Sequence, residues 1–151
     1  MDESFARHLE RVRAHRAELG ESMAALDAAL ALPVGLGSVW RRRVRAALTE
    51  LAHDLRDHVD LTEAPDGLYA DLREREPRLS AGVQAQLTDH AELLAEVDRL
   101  LGERDEGVPG ATAVQEHREA ATRLIGRLVR HRQRGSDLIH AAYDVDIGGS
   151  G

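Results

Sequence analysis

The sequence predicts an all-α protein, an up-down-up-down four-helix bundle with a short extra helix between the second and third long helices. Apolar residues recur at steps of three and four along most of the chain, while period-2 alternation is nearly absent. Breaks rich in proline and glycine, at Pro33 to Gly37, Ala64 to Gly67 and Gly102 to Gly110, divide the chain into segments of helical length. With 151 residues, 42% of them hydrophobic, the chain can bury one core and is too small for two, so long helices on mostly short links must pack on one another.

The first long helix is expected from about Glu3 to Leu32, opened by the acidic Asp2 and Glu3 and stopped by Pro33, with Gly35 and Gly37 beyond it. The second starts after Ser38, a good N-cap, and runs to about Glu63, where Ala64-Pro65-Asp66-Gly67 breaks it. A short helix from about Gly67 to Glu76 follows, with Asp66 as its candidate cap and Pro77 as its stop. The third long helix begins near Ser80 and ends at Gly102, a C-cap residue followed by the polar loop Glu103 to Gly110. The fourth opens with Thr112-Ala113-Val114-Gln115, which fits a capping box, and extends to about Tyr143. The domain is thus 1–143, and 144–151 form a Gly-rich tail; Tyr143 just before it and Ile147 within it are expected to pack against the bundle end.

Composition removes several function classes. The absence of cysteine excludes disulfides, thiolate chemistry and any zinc or iron-sulfur site built on cysteine. No apolar run reaches the roughly 18 residues of a membrane span, and MDESFARHLE lacks the order of a signal peptide, so the expectation is a cytoplasmic protein with no membrane partner. A net charge of -7, with acidic groups spread along the chain, leaves no broad positive face for nucleic acid. All 20 basic residues are arginine, which reads as a compositional bias and weakens functional readings of single arginines; the run Trp40-Arg41-Arg42-Arg43 near a helix start offers an anion or partner site as one reading, and a solvated helix face is preferred to it.

The core stripes carry the functional signal, because histidines interrupt them. The second helix reads Val44, Leu48, Leu51, Leu55, His58, Thr62, and the third reads Val83, Leu87, His90, Leu94, Val97, Leu101. The fourth reads Val114, His117, Ala121, Leu124, Leu128, His131, Gly135, Leu138, Ala142. In the first, the row Phe5, His8, Val12, His15, Leu19 competes with Phe5, Leu9, Val12, Leu19, Met23. Every long helix therefore offers an inward histidine. One buried imidazole without a partner costs on the order of 1 to 3 kcal/mol, and four together would rival a domain's net stability. A single such histidine is more often a packed residue bonded to a carbonyl or water, but four together call for a common partner. A divalent metal suits them.

Height along the helices is a second check. At 1.5 Å per residue, His15 and His58 fall within about one helical turn of each other across the first connection, whereas His90 and His131 disagree by roughly 10 Å. His117 lies two heptads from His131 and is read as structural or near a bundle end; His8, His53 and His140 are placed on the surface or rim.

With His58, Glu63, Leu68, Tyr69 and Leu72 followed by His90 in TDHAELL, the chain resembles the hemerythrin-like, or HHE cation-binding, domain family, over most of its length. The resemblance implies a four-helix bundle holding non-haem iron through histidines on all four helices and bridging carboxylates. It implies oxygen, nitric oxide or redox sensing, or metal binding, with a diatomic gas as ligand and a protein partner or homodimer as reader. On that scheme the metal residues are His15, His58, Glu63, His90 and His131. The chain departs from the family where His58-x-x-x-Glu would stand, since Thr62 occupies that place and Glu63 follows it. Leu94 stands where a second ligand of the third helix is expected, and Gly135 and Ser136 displace the last carboxylate to Asp137. One or two ions are therefore expected. The alternative is a metal-free bundle of the same ancestry acting as a regulatory or protein-interaction module. A metal-dependent hydrolase or oxygenase ranks last, because no nucleophile-base arrangement, phosphate-binding glycine loop or His-Glu-x-x-His occurs.

Overall fold

The structure, a computed structural model, describes residues 3–102 and 111–149. The elements are helices α1 (Glu3–Leu30), α2 (Ser38–Glu63), α3 (Leu68–Arg75), α4 (Ser80–Gly102) and α5 (Ala111–Gly149), with 3-10 turns at Val34–Leu36 and Pro77–Leu79. No strand occurs among the described residues, and no described helix is long and apolar enough to cross a membrane. The loop 103–110 and the side chains of Thr112, Tyr143 and Ile147 lie outside the described residues, and with them the capping box and the packing expected of the tail.

The breaks fall where local chemistry puts them, with small corrections. α1 stops at Leu30, before Leu32, because the chain must be extended at Pro33 (φ -60°, ψ 128°) to enter the turn. Ser38 is the first residue of α2 and caps nothing; Gly37 holds the N-cap place with φ 62°, a backbone suited to glycine. α2 ends because Ala64 precedes Pro65 and is extended (φ -55°, ψ 145°). The N-cap of α3 is Gly67, not Asp66, and its side chain could hardly be larger, since a Cβ there would lie 2.7 Å from the Leu61 carbonyl oxygen. At the C-terminal end α5 continues as helix through Gly149, so the backbone does not break at residue 143 to begin a tail.

α1 packs along α2 and, less extensively, on α5; α4 packs along α5 and on α2. α3 reaches α1, α2 and α4 together. Among the described residues, buried apolar side chains form two clusters. The larger runs from Leu19, Met23 and Leu26 of α1 through Trp40, Leu48, Leu51 and Leu55 of α2 to Leu93 and Val97 of α4 and Leu124 and Leu128 of α5. The smaller joins Phe5, Leu9 and Val12 of α1 to Leu68, Tyr69 and Leu72 of α3 and Val83 of α4. His58, His90 and His131 sit along their helices between the two, each flanked by larger-cluster residues on one side and by Leu61, Leu87 and Ile139 of the smaller on the other.

The expected offset between His90 and His131 is resolved by overhang. His131 lies eight residues farther from the start of α5 than His90 lies from the end of α4, about 12 Å at 1.5 Å per residue. The first turns of α5 therefore pack on the α1–α2 connection. There Arg118 donates to the Leu32 carbonyl (3.3 Å) and lies over the Trp40 ring, and His117 meets that ring edge-on at 6.4 Å. Trp40 itself is a buried anchor, not part of a solvated face.

Candidate metal centre

Three of the predicted histidines meet. The rings of His90 and His131 are 4.6 Å apart between centroids, and His58 stands edge-on to both at 5.2 and 5.7 Å. One ring nitrogen from each lies within 4.8 Å of the others, a spacing that could hold a metal ion. All three are buried, at 5%, 0% and 1% exposure for His58, His90 and His131.

Carboxylates fix two of the rings from behind. His90 Nδ1 is 2.8 Å from Glu63 Oε2, and His131 Nδ1 is 2.7 Å from Asp89 Oδ2. A carboxylate only accepts, so in the neutral ring the hydrogen sits on Nδ1 and the lone pair on Nε2. Both Nε2 atoms are buried and have no hydrogen-bonding partner in the protein, as are both ring nitrogens of His58. A neutral imidazole oriented by a carboxylate, its free lone pair facing like neighbours, is the arrangement that metal-binding histidines use.

Electrostatics keep the rings neutral. Burial, then the neighbouring His90 and His131, pushes His58 down to about 3. Burial and His131 likewise push His90 down to about 3, against the pull of Asp89. Burial lowers His131 as well, opposed by its bond to Asp89. Glu63 is raised by partial burial and by Asp60. Tyr69, stacked on His90 at 5.8 Å, is pushed up to about 12 by burial and stays a phenol.

The fourth histidine, His15, is not one of the three whose ligand atoms converge. It is half-buried and lines an outer groove with His8, Asp57 and Asp60, yet it is near enough to His58 for its charge to lower the His58 pKa. The continuous four-three row Phe5, Leu9, Val12, Leu19, Met23, Leu26 is the one buried, since it covers more apolar surface than the row through His8 and His15. That row passes through position 16, so Arg16 faces the interior side where His15 was expected. Glu63 is near the centre but behind His90, in a supporting place; Thr62, four residues after His58, donates its hydroxyl to the His58 carbonyl at 2.8 Å. Asp137 is exposed and accepts from Gln133 (3.0 Å), away from the centre.

Asp89 was not anticipated. The buried face of α4 is Val83, Gln86, Asp89, His90, Leu93, Val97 and Leu100, rotated by one residue from the row through Leu87, Leu94 and Leu101. Both rows share Val83, His90 and Val97. The acidic residue directly before His90 in TDHAELL was the available signal. Asp89 is held by Arg134 (3.1 Å) as well as by His131. Gln86, from the same rotation, donates to the His131 carbonyl at 3.2 Å, an approach that Gly135 leaves room for, since a Cβ there would lie 3.1 Å from the amide nitrogen.

Beside the histidines is a cavity of ≈ 20 Å³, bordered by His58, His131, Arg16, Arg132, Tyr69 and Gln86 among others. No family model, curated protein or solved structure matches the chain. The centre therefore has to be read from its own geometry.

Proposed function

We propose that the chain is a metal-binding bundle, its four long helices running up-down-up-down, that holds one divalent transition-metal ion on His58, His90 and His131. The observation that carries this is the set of three buried, neutral imidazoles whose ligand atoms lie within 4.8 Å, two of them aimed by carboxylates. All-imidazole donors suit iron, zinc, copper or nickel, and the resemblance to hemerythrin-like domains favours non-haem iron. A second ion would need bridging carboxylates, and Glu63 and Asp89 each already have an oxygen on an Nδ1.

When bound, such an ion supplies a Lewis-acidic or redox-active position for a small ligand, and oxygen, nitric oxide or redox sensing is the role that fits. The residues' own parts are separable. Glu63 and Asp89 hold the tautomers, and the two apolar clusters exclude bulk water. Tyr69 and α3 close the side away from the larger cluster. The test is elemental analysis of protein purified from iron-supplemented cells, with calorimetric titration of the metal-free protein. One equivalent of metal, lost in His90→Ala and His131→Ala, is expected. Metal-free protein that binds neither ferrous iron nor zinc would favour a regulatory module without metal.

A further inference from the structure

We propose that the outer face shared by α1 and α2 docks a second copy of this chain about a two-fold axis that passes between Ala46 and Ala47. The proposal does not depend on the metal-binding reading, since no histidine borders that face.

The case begins with the stretch Ala24 to Ala31, in which Asp27 is the one charge. Leu26 and Leu30 turn into the core, which leaves Ala25 and Ala28 exposed on the outside. There they border an open groove of ≈ 690 Å³ together with the exposed Ala46 of α2, over the buried Ala29 and Ala47. Methyl groups on both walls let a further helix approach to about 8 Å between axes, the close end of the usual range.

Charge selects the occupant. Arg43 borders the groove at the end next to the α1–α2 connection, and Glu21, Glu50 and Asp54 border the other end, where Ser22 donates to Asp54. The side chains of Arg43, Glu21 and Glu50 make no ion pair among the described residues, whereas on the other flank of α2 Arg45 donates to the Leu101 carbonyl (2.8 Å) and Arg56 pairs with Asp98. Arg43 and Glu50 stand two turns apart on one side of α2, about 10 Å at 1.5 Å per residue, and their midpoint falls between Ala46 and Ala47. A two-fold axis at that midpoint lays α2 antiparallel on its copy, sets each Arg43 opposite Glu50 of the partner subunit, and leaves alanines where the helices cross. A purely basic partner would meet Arg43 with like charge, and a purely acidic one would meet the carboxylates. A second copy satisfies both ends at once. The face measures roughly 20 Å in each direction, so the dimer buries on the order of 800 to 1,000 Å² and is a reversible one, with a dissociation constant in the micromolar range.

The experiment is sedimentation velocity of the purified chain over a concentration series. Wild type should pass from monomer to dimer as concentration rises. Arg43→Glu and Glu50→Arg should each weaken the dimer by about tenfold or more, since either change sets two like-charge pairs across the axis. An equimolar mixture of these two variants should associate as the wild type does, because both pairs of the mixed dimer are again opposite in charge. Ala46→Arg should abolish the dimer by filling the crossing point. All three positions are exposed, and circular dichroism should show each variant as helical as the wild type. A wild-type chain still monomeric at about 1 mM overturns the proposal. So does a dimer that survives Ala46→Arg, or a mixture that associates no better than its two components alone. None of the substitutions touches a histidine, so metal content by elemental analysis reads the other proposal separately.

Discussion

His58→Leu should stabilise the metal-free protein and abolish its response to metal. Both nitrogens of His58 are buried without partners, and the ring stands beside Leu55 and Leu61 on its own helix. Leucine has nearly the same volume and no polar atom, so the change removes two unmade hydrogen bonds without opening a cavity. At the low end of about 1 to 3 kcal/mol for each, the gain is about 2 kcal/mol. For a chain of this length that raises Tm by roughly 4 to 8 °C. Metal acts in the opposite sense on the comparison. At a hundred times its dissociation constant it stabilises the wild type by about 2.7 kcal/mol, and it should do almost nothing for the variant. Differential scanning calorimetry with and without zinc or ferrous iron reads both numbers. If the metal-free variant melts below the wild type, the imidazole has partners that the geometry does not provide. If the variant keeps the metal-induced shift, His58 is not a ligand.

Other expectations follow from the same contacts. In metal-free protein, His58 and His90 remain neutral in the fold down to about 3, while the unfolded chain protonates near 6.5, so stability is complete above that value and declines as pH falls through the interval. Each histidine contributes a slope of about 1.4 kcal/mol per pH unit. Urea unfolding between pH 7.5 and 4.5 measures it, and His58→Leu should flatten the curve by one proton's worth; an identical slope in the variant would contradict the assignment. Asp89→Asn and Glu63→Gln should weaken metal binding by about 10- to 100-fold in calorimetric titration with helicity by circular dichroism unchanged, since each replaces the charged acceptor that orients one ring by a neutral amide, which binds its N–H more weakly and can turn its own NH2 towards the ring; full affinity in both would show that the carboxylates do not act through the histidines. Gly67→Ala should cost roughly 1 to 3 kcal/mol by chemical denaturation, because its Cβ would press on the Leu61 carbonyl and the turn must shift, moving Tyr69 off His90. A neutral substitution there would mean that α3 is not tightly seated.

What the sequence alone determined was the set of helices, their order and which histidines interrupt apolar rows. These are local properties: a three-four step, a proline, or a residue placed before a proline acts through near neighbours, so Leu51, Leu55 and His58 on one face could be read without any partner helix. The overhang of α5, the meeting of His90 with His131 and the setting of His15 in an outer groove were decided by tertiary packing. Two rows on α1, and two rows on α4, satisfied the same periodicity. The choice between them depended on how much apolar surface the facing helices could cover, which placed Arg16 in the seam and brought Asp89 and Gln86 inward. A rotation of one residue, about 100° around a helix, leaves the pattern of spacings almost unchanged and replaces the side chains beside the centre. The helices were therefore legible in the chain, and the supporting carboxylate came only from how their faces fit together.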